Sequence, residues 1–413
     1  MSGQILLAWR SLWQHKRRTW LTLGAMIFCN TLLVFMITLQ AGTYPMMLEN
    51  TLRIFSSQLQ INQQGYLDEP ELRKRILDSS DLVARLEQEF PELDVIPRSN
   101  GFLLAASEQR SVGILVNGVV PDKERLASII PQQITFGHYL EGGDNNQVIL
   151  GERLAKNLQV TVGDELTVMG STMQGGFAAG VLSVVGIFST GINELDRTTS
   201  QVSLATFQRL FEMPNQVSLL SINAPSMSQV SFYQQQLQTQ LPTYLQTGEQ
   251  LTVHDWQQLN PGIKQGIEAD LSSAVIMYAV LVLLVILGVM NTQLMAVLER
   301  TKEFGIMLAI GSKPSRLFTQ VLVETFMMGI IGMLLGALLG GVVAGYFSQV
   351  GIALPGMGDI GAQFGIGDRI YPLLSPLSVL IGPAVVCVGS VLVSIYPALK
   401  TLGLEPISAM QSK

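Results

Sequence analysis

The distribution of apolar residues divides the chain into four long hydrophobic runs and one large segment of mixed composition. Runs long enough to cross a bilayer, about 20 residues, occur at 20–42, 271–298, 317–347 and 376–399. Between the first and second runs, residues 43–270 contain no apolar run of that length. The pattern predicts an α-helical membrane protein with four transmembrane helices and a large domain inserted between helices 1 and 2.

Basic residues lie mainly on one side of these runs, and this asymmetry predicts the orientation of the helices. Residues 1–19 combine apolar positions at helical spacing with a run of basic residues, which predicts an amphipathic helix on the cytoplasmic membrane surface. Residues 299–316 and the tail 400–413 also carry Lys and Arg, whereas 348–375 has Arg369 as its single basic residue. Under the positive-inside rule, both termini are expected in the cytoplasm and 348–375 forms an extracytoplasmic loop.

A cleaved signal peptide is an alternative for the N-terminal region, because it has the same order of basic and apolar segments. The sequence Leu39 to Gly42 is a poor match to the small-residue pattern of a cleavage site. We therefore interpret 20–42 as an uncleaved first span. The second run, 271–298, would form a helix of about 42 Å against a hydrocarbon core of about 30 Å, which predicts a stalk outside the membrane.

The inserted segment 43–270 predicts an α+β domain with two kinds of region. Residues 51–100 and 215–260 each show a strand, a helix, a proline and a second strand, which fits two related halves of one α+β layer. A chance similarity of the two ends is the alternative. Residues 101–214 are rich in glycine and in short β-like runs, and predict a second, β-rich subdomain.

Composition agrees with a membrane protein and narrows the classes of partner. Of the 413 residues, 48% are hydrophobic and 14% are charged, against about 25% charged in soluble domains. Residues 43–270 hold 14 Lys and Arg against 25 Asp and Glu, so this segment has a net charge of −11 and the rest of the chain +5. An acidic inserted domain argues against nucleic acid as a partner.

The segment 299–316, between the second and third runs, is the strongest candidate for contact with a soluble protein. Charged residues begin it, apolar residues recur at helical spacing, and Gly311 with Pro314 supplies a helix stop. The pattern predicts a short amphipathic helix held between two membrane spans. An ordinary cytoplasmic loop is the alternative. The residues predicted to couple this helix to a partner are Glu299, Arg300, Glu303, Phe304, Gly305, Met307, Leu308 and Gly311.

The third run contains small residues four positions apart in two registers. One register contains Gly332, Gly336 and Gly340, and the other contains Gly341. Small residues at this spacing let two helix backbones approach closely in lipid, so we predict a helix-packing role for these four glycines. Whether the partner helix belongs to the same chain or to a second copy is open.

Known catalytic and metal-binding patterns are absent from the sequence. It contains no G-x-x-x-x-G-K-[ST] phosphate loop, no H-E-x-x-H motif and no G-x-S-x-G motif. The two cysteines lie inside apolar runs and the three histidines are far apart, so neither a disulfide framework nor a metal site is expected. We therefore predict no catalytic, cofactor-binding or metal-binding residue in this chain.

Glu324 is an ionisable residue about two turns into the third run. A lone carboxylate within a membrane span can mark an ion or proton path. The alternative that we favour is a bond from Glu324, near the cytoplasmic boundary, to the segment 299–316. In that case Glu324 supports the coupling helix.

Three stretches resemble the FtsX-like ABC transporter permease superfamily of the MacB, LolC and LolE type. Residues 299–311 read Glu-Arg-Thr-x-Glu-Phe-Gly-Ile-x-x-Ala-x-Gly, and Glu324 follows. Residues 188–210 resemble the extracytoplasmic part of these permeases, and 397–409 their C-terminal Pro-Ala and Pro-x-x-Ala pattern. The resemblance implies a porter-like part at 51–100 and 215–260 and a Sabre-like part at 101–214.

The resemblance also implies the partners and the function. A cytoplasmic ABC ATPase dimer would bind 299–316, and ATP and Mg would belong to that ATPase rather than to this chain. The other implied partners are a second permease chain (in a homodimer or a heterodimer), membrane lipids, and a periplasmic chaperone or membrane-fusion adaptor. The implied function, in the bacterial inner membrane, is mechanotransmission: ATP hydrolysis moves the extracytoplasmic domain, which extracts or exports a lipoprotein or another hydrophobic substrate.

Two other functions fit parts of the sequence. An FtsX-like signal transmitter would use the inserted domain to activate a cell-wall hydrolase, but the size of the insert and its LolC/LolE-like wording favour transport. A membrane enzyme or ion carrier built around Glu324 would need further ionisable groups in the spans, and the sequence supplies none.

Overall fold

The computed structural model describes residues 9–10, 16–54, 57–244, 250–353 and 369–403. These residues form two compact units. The first contains the described residues up to 45, 266–353 and 369–403, and the second contains those from 46 to 265. The sequence predictions for the N-terminal amphipathic helix, most of the 348–375 loop and most of the C-terminal tail lie outside the described residues.

Helices and strands follow the order expected for a helical membrane protein with an α+β insert. Two short 3-10 helices, Ile130–Gln133 and Met227–Gln229, accompany them. In chain order the elements are α1 (Lys16–Ile54), β1 (Leu59–Gln63), α2 (Ser79–Glu89), β2 (Asp94–Ala106), β3 (Ser111–Val119), α3 (Pro121–Ala127), β4 (Ile134–Gly137), β5 (Gln147–Gly151), α4 (Glu152–Leu158), β6 (Glu165–Ser171), β7 (Phe177–Phe188), α5 (Asn193–Thr198), β8 (Thr199–Ser203), α6 (Leu204–Leu210), β9 (Leu219–Asn223), α7 (Val230–Tyr244), β10 (Leu251–Asp255), α8 (Trp256–Leu259), α9 (Pro261–Glu299), α10 (Thr301–Ala309), α11 (Pro314–Val350) and α12 (Pro376–Leu402).

Four helices of the described chain are long and apolar enough to cross a membrane, which confirms the predicted number of spans. They are Thr19–Arg53 within α1, and the whole of α9, α11 and α12. Each helix is longer than its hydrophobic run. Helix α1 continues to Ile54, beyond the predicted end at residue 42, and α9 starts at Pro261 rather than at the predicted residue 271. Helical structure outlasts apolar composition because Lys, Gln, Glu and Ala, which begin α9, are good helix formers.

In the membrane unit, α11 packs closely against α12 and α1. Gly329 of α11 lies against Cys387 of α12, and a side-chain Cβ at Gly329 would be 2.9 Å from the Cys387 sulfur. A buried cluster holds α1, α9 and α12 together. Its fully buried members are Met26, Cys29, Leu33, Val289 and Val386.

Polar side chains tie α1 to α9 at one end of these helices. Tyr44 donates a hydrogen bond to Asp270 Oδ2 at 2.5 Å, and Gln40 Nε2 donates to the same carboxylate oxygen at 3.3 Å. The Tyr278 hydroxyl donates to Gln40 Oε1 at 3.0 Å. These bonds join the two helices on either side of the inserted domain in the sequence, so its two connections are held together.

The inserted domain is organised around one ten-stranded mixed sheet. Nine strands follow the order β10-β1-β9-β2-β3-β8-β5-β7-β4, and β6 pairs with β2 and β7. The first part of the long strand β2 pairs with β9, whereas its later residues pair with β3 and β6. The regions expected to be porter-like and Sabre-like therefore share one continuous sheet. They have separate hydrophobic cores, but the β-rich region is not a separate sheet.

The two ends of the insert interlock as two strand-helix-strand halves. Strand β9 lies between β1 and β2 and is antiparallel to both, while β1 lies between β9 and β10. Helices α2 and α7 contribute Leu86 and Leu237 to the same buried cluster. The sequence prediction of two related halves in one layer agrees with this arrangement, although α7 continues through Pro242, where a helix end was expected.

The middle of the insert has its own hydrophobic core. It lies on the same face of β2 as the core to which α2 and α7 contribute. This cluster includes Leu103 and Ala105 of β2 and Ile114 and Val116 of β3. It also includes Phe207 of α6 and Phe211, the residue that follows α6. Alternate residues of β2 and β3 point to the opposite face of the sheet, because successive side chains of a strand point to opposite faces. Strand β4 was not predicted, since it has only four residues and its pairing with β7 contains a register shift.

Candidate functional site

Helix α10 is a separate nine-residue helix between two membrane-spanning helices. At its start, Arg300 has backbone angles of −95° and 12°, which interrupts the helix between α9 and α10. At its end, Gly311 has φ +100°, and the amides of Gly311 and Ser312 donate to the carbonyls of Leu308 and Met307 at 3.0 Å each. Glycine permits this positive φ without a Cβ clash, so the residue ends the helix in a Schellman motif.

The following helix begins immediately after this stop. Lys313 has an extended backbone conformation, and Pro314 occupies the first turn of α11. Proline is favoured there because the missing N–H has no partner within the helix. The predicted coupling helix is therefore shorter than expected. Within 299–316, only residues 301–309 form the separate helix; the glycine stop and the first residues of α11 follow it.

Arg300 and Glu324 form a buried ion pair that joins the start of α10 to α11. Arg300 Nη1 donates to both carboxylate oxygens of Glu324, at 3.0 and 3.1 Å. The two side chains are only 8% and 6% exposed. Gln320 Nε2 donates to Glu324 Oε1 at 3.4 Å from one turn earlier in α11. Removal of either side chain would leave the other charge buried without a partner, which is strongly destabilising.

The other side-chain contacts of Arg300 are with residues of α10. Its Nε donates to Glu303 Oε2 at 3.1 Å, and Glu303 is 57% exposed. Its guanidinium carbon lies 5.0 Å from the centre of the Phe304 ring, within the distance of a cation–π interaction. Arg300 thus links an exposed carboxylate, a buried ring and the buried carboxylate of the next helix.

Phe304 is the apolar anchor of α10. Its side chain is fully buried in a cluster with Val297 of α9, Leu317 and Val321 of α11, and Ala398 of α12. Met307 and Leu308 pack against the same cluster and are partly buried. Helix α10 is therefore held to three membrane helices by its apolar face as well as by the ion pair.

The exposed surface of α10 differs from the surface that the sequence predicted. Phe304 and Gly305 are buried and face the membrane helices, so they cannot present themselves to a soluble partner. The exposed apolar side chains are Ile306, at 50%, and Ile310, at 82%. Lys302 is also exposed, and the spacing of 302, 306 and 310 by four residues places these positions on one helix face.

The missed residues carried a recognisable signal. Helix α10 is apolar at Phe304, Met307 and Leu308, which already form one buried stripe, yet Ile306 and Ile310 add a second apolar pair. A helix with one core-facing stripe needs polar residues on its other face. The surplus apolar pair beside charged Lys302 therefore marks a surface that is either embedded or bound.

The location of Glu324 agrees with the coupling alternative. The carboxylate bonds to Arg300 at the start of α10 and to Gln320. From 317 to 350 the sequence of α11 contains no other Asp, Glu, Lys or Arg. An ion path needs a succession of ionisable groups, whereas this carboxylate is fully engaged by one arginine.

The glycines of α11 pack against α1 of the same chain. A Cβ at Gly332 would lie 3.1 Å from Met26 Cβ, and a Cβ at Gly340 would lie 2.6 Å from Val34 Cβ. A side chain at Gly336 would collide with Asn30. These contacts answer the open question of the partner helix for the first register.

Gly341 behaves differently from the other predicted packing glycines. The nearest atom to a Cβ there is a methyl carbon of Val379 in α12 at 4.0 Å, which is ordinary contact. Asn30 also contributes to the first interface, because its Nδ2 donates to the carbonyl of Gly332 at 3.0 Å. Close approach of α1 and α11 therefore exposes backbone carbonyls of α11 to polar side chains of α1.

The second family-like stretch, 188–210, stabilises a turn in the insert. Asp196 is buried, and its Oδ1 accepts hydrogen bonds from the amide and hydroxyl of Thr190, at 3.0 and 2.7 Å. Ser203 then caps α6 by accepting a hydrogen bond from the Thr206 amide. These residues support the loop geometry. Among the described residues, no cluster of His, Cys, Asp and Glu has the arrangement of a metal site.

Two family models together match most of the chain, including the four membrane helices and the short anchored helix before the third span, and they identify an ABC transporter permease of the FtsX-like type. The family model for the MacB-like periplasmic core domain matches residues 19–240, and that for the FtsX-like permease C-terminal matches 275–406. The first match alone covers more than half of the chain. The chain therefore belongs to the family of permeases that carry a MacB-like periplasmic core domain and an FtsX-like C-terminal region, and it is a multi-pass membrane protein.

Curated relatives cover the chain to different extents. The lipoprotein-releasing system transmembrane protein LolC of Xylella fastidiosa (strain Temecula1) is 26% identical over 57% of this chain and 56% of the relative. The pyoverdine export ATP-binding/permease protein PvdT of Pseudomonas fluorescens is 25% identical over 99% of this chain and 59% of the relative. LolC of Neisseria meningitidis serogroup B is 22% identical over 84% of this chain and 83% of the relative. This chain thus spans less than two thirds of the first two of these relatives.

Two solved structures match part of the chain with low similarity. The periplasmic region of MacB from Actinobacillus actinomycetemcomitans matches 54% of this chain and 97% of that structure, with 16% identity and a TM-score of 0.38. The extracellular domain of the transporter YknZ from Gram-positive bacteria matches 48% of this chain and 99% of that structure, with 14% identity and a TM-score of 0.35. Scores of this size do not establish a shared arrangement, and the family assignment depends on the sequence models.

Proposed function

We propose that the chain is the permease subunit of an ABC transporter, and that it couples ATP hydrolysis in a separate ATPase to movement of its inserted domain. The transported molecule would be a lipoprotein or another hydrophobic substrate. One observation carries the proposal: α10 is anchored to three membrane helices on one face and presents Ile306 and Ile310 on the other.

The anchoring is suited to the transmission of force. A docking surface on a loose loop would move without displacing the membrane helices. Here the buried Arg300–Glu324 pair joins α10 to α11, and Phe304 packs against residues of α9, α11 and α12. A displacement of α10 therefore requires these helices to move with it, because interfaces that are packed and paired are not continuously deformable.

Helix α9 is the element that would carry the movement outwards. It runs for 39 residues from Pro261 to Glu299, about 58 Å at 1.5 Å per residue, and contains no proline after its first position. The hydrocarbon core is about 30 Å thick. The N-terminal part of the helix thus extends beyond the membrane, as a mechanotransmission mechanism needs.

The names of two relatives are the reason for including an ATPase in this proposal. PvdT is named as an ATP-binding/permease protein, whereas LolC is named as a transmembrane protein of a lipoprotein-releasing system. The present sequence carries no G-x-x-x-x-G-K-[ST] motif. In this proposal, ATP and Mg are bound by the partner ATPase. A second permease chain and a periplasmic chaperone or membrane-fusion adaptor complete the proposed complex.

Co-purification from native membranes tests the docking surface. The tagged chain is isolated in mild detergent and the retained proteins are quantified by mass spectrometry, for the wild type and for the double variant Ile306→Asp and Ile310→Asp. Removing two apolar anchors costs more than 1 kcal/mol each at a typical interface centre, so recovery of an ABC ATPase should fall by about tenfold or more.

The matched control is Leu126→Asp, which changes a residue of similar exposure, 81%, in α3 of the inserted domain. This variant should retain the ATPase at the wild-type level. Equal recovery with the double variant would remove α10 as the docking site. An intact complex that contains a cell-wall hydrolase and no transport partner would instead support the signalling function.

A further inference from the structure

The inserted domain contains a cleft over the middle strands of its sheet, and Glu124 of α3, Ile130 and Leu195 of α5 are among the residues that line it. Its floor is formed by strands β1, β9, β2, β3 and β8, and its volume is about 890 Å³. Small-molecule sites in proteins occupy roughly 300–1,000 Å³. The cleft therefore has room for one small molecule or one extended chain, but not for a folded domain.

Polarity changes in one direction along the floor of the cleft. Arg98, Asn100, Phe102 and Leu104 are alternate residues of β2 and so share one face, over about 20 Å at 3.4 Å per residue. At the polar end, the Arg98 guanidinium donates to both oxygens of Glu124, at 2.8 and 3.0 Å. At the apolar end, Phe102 is 70% exposed and Leu104 is 43% exposed.

A row of side-chain amides crosses the cleft between these two ends. The register places Asn100 opposite Asn117 of β3, and Asn117 opposite Gln201 of β8. Gln201 already accepts a hydrogen bond from the Tyr139 hydroxyl at 3.1 Å. The Asn117 side chain makes no hydrogen bond to any residue that the structure describes. The cleft thus offers one amide with a free donor and a free acceptor.

The next row of the sheet is apolar. Phe102 lies opposite Leu115 of β3, and Leu104 lies opposite Met169 of β6. All four residues line the cleft. An exposed apolar surface with adjacent polar groups is characteristic of a binding site, since it costs hydrophobic free energy when it is left in water.

We propose that this cleft binds a single acyl chain that is linked to an uncharged polar group such as an amide or ester. The chain would lie on Phe102, Leu104 and Met169, and the polar group would bond to Asn117. An anionic head group fits less well, because the Arg98 charge is neutralised by Glu124 and residues 43–270 carry a net charge of −11.

The role of the cleft in transport depends on the proposed function, whereas binding itself does not. The test accordingly uses the full chain in lipid nanodiscs without ATP and without an ATPase. The probe is hexadecanamide with a photoreactive diazirine in its chain, and the labelled peptides are identified by mass spectrometry. Labelling is expected in β2 and β3, between residues 98 and 119, with competition by unlabelled hexadecanamide and weaker competition by hexadecanoate.

Two variants and one control make the test specific. Phe102→Asp should reduce labelling in β2 and β3 by about tenfold, and Asn117→Leu should abolish the preference for the amide over the carboxylate. Phe232→Asp, at an exposed residue of α7 on the helix side of the sheet, should label as the wild type. Circular dichroism melting verifies that each variant is folded.

Three outcomes would overturn the proposal. They are labelling confined to the membrane helices, labelling of the insert that Phe102→Asp leaves unchanged, and stronger competition by hexadecanoate than by hexadecanamide. None of them affects the ATPase co-purification test, which depends on α10. Failure of the cleft proposal and failure of the proposed function are therefore distinguishable.

Discussion

At the scale of single residues, Arg300 has the greatest influence on the proposed coupling site. It bonds to Glu324 in α11 and to Glu303 in its own helix, and it covers one face of Phe304. A buried pair of this kind contributes little net stability compared with well-packed apolar residues, but removal of one partner leaves a buried charge. The pair is therefore better suited to fixing the position of α10 than to stabilising the protein.

Glu324→Gln is expected to destabilise the membrane unit, because Arg300 then remains buried without its carboxylate. Loss of one partner of a buried pair costs about 3–5 kcal/mol. The value should lie near the lower limit, since Glu303 still bonds to Arg300. Thermal unfolding of the purified protein in detergent measures the change. An unchanged melting temperature would show that the guanidinium reaches solvent.

The double replacement Arg300→Met and Glu324→Met separates stability from position. With both charges removed, no buried charge is left, and the free energy of unfolding should return to within about 1 kcal/mol of the wild type. Helix α10 would then lack its directional bond to α11. Under the proposed function, ATP hydrolysis in the purified complex would lose its stimulation by substrate although the ATPase still binds. Normal stimulation in this variant would remove the ion pair from the coupling path.

At the scale of elements, the contact between α11 and α1 shows why residues of one type differ in importance. Gly332, Gly336 and Gly340 face α1, where a Cβ would meet Met26, Asn30 and Val34 at close range. Gly341 follows Gly340 directly but faces Val379 of α12 with ordinary clearance. Spacing by four identified both registers, and only the packed helices distinguish the tight register from the loose one.

Gly340→Ala and Gly341→Ala form a matched pair that tests this difference. Gly340→Ala should lower the free energy of unfolding by about 1–3 kcal/mol, the range for overpacking, because its Cβ would approach Val34 Cβ at 2.6 Å. Gly341→Ala should be neutral or slightly stabilising, since alanine is the better helix former. Thermal unfolding of both proteins in the same detergent compares them. Equal destabilisation would mean that α11 packs in another register.

At the scale of the whole molecule, the long sheet joins the hydrophobic cores of the insert into one domain. Strand β2 belongs to both halves, because its early residues pair with β9 and its later residues with β3 and β6. The domain therefore has no sheet boundary at residue 101, where the sequence predicted the change from the porter-like to the Sabre-like part. A force applied to either half should reach the other through the backbone hydrogen bonds of β2.

The orientation of the membrane helices is tested by thiol labelling of variants that carry one added cysteine. Cys29 and Cys387 are buried, so they should react slowly with a membrane-impermeant maleimide. Leu126→Cys in the insert should react from outside intact spheroplasts, whereas Ile310→Cys should react only after the membrane is permeabilised. Both side chains are highly exposed, at 81% and 82%, so a difference reports the side of the membrane. Reaction of Ile310→Cys from outside would overturn a cytoplasmic docking role for α10.

The sequence by itself determined the number of membrane spans, the α+β nature of the insert and the stop signal that ends the short helix before the third span. These features depend on local information. Long apolar runs, the alternation of residues in strands, and a glycine followed by a proline at Gly311 and Pro314 act over a few residues. Short stretches of the sequence also showed the resemblance to FtsX-like permeases, and the family models confirm it.

Only the tertiary structure decided which face of each element is free. In α10, Phe304 is buried against three other helices and leaves Ile306 and Ile310 exposed, although all three are apolar residues of one short helix. In the insert, the cleft arises because the pairing of β2 with β3 places Asn117 opposite Asn100 and Leu115 opposite Phe102, in neighbouring rows of the sheet. The sequence shows which residues are apolar, and their periodicity shows which face of a helix or strand they occupy. Whether another part of the chain covers that side depends on contacts between residues far apart in sequence.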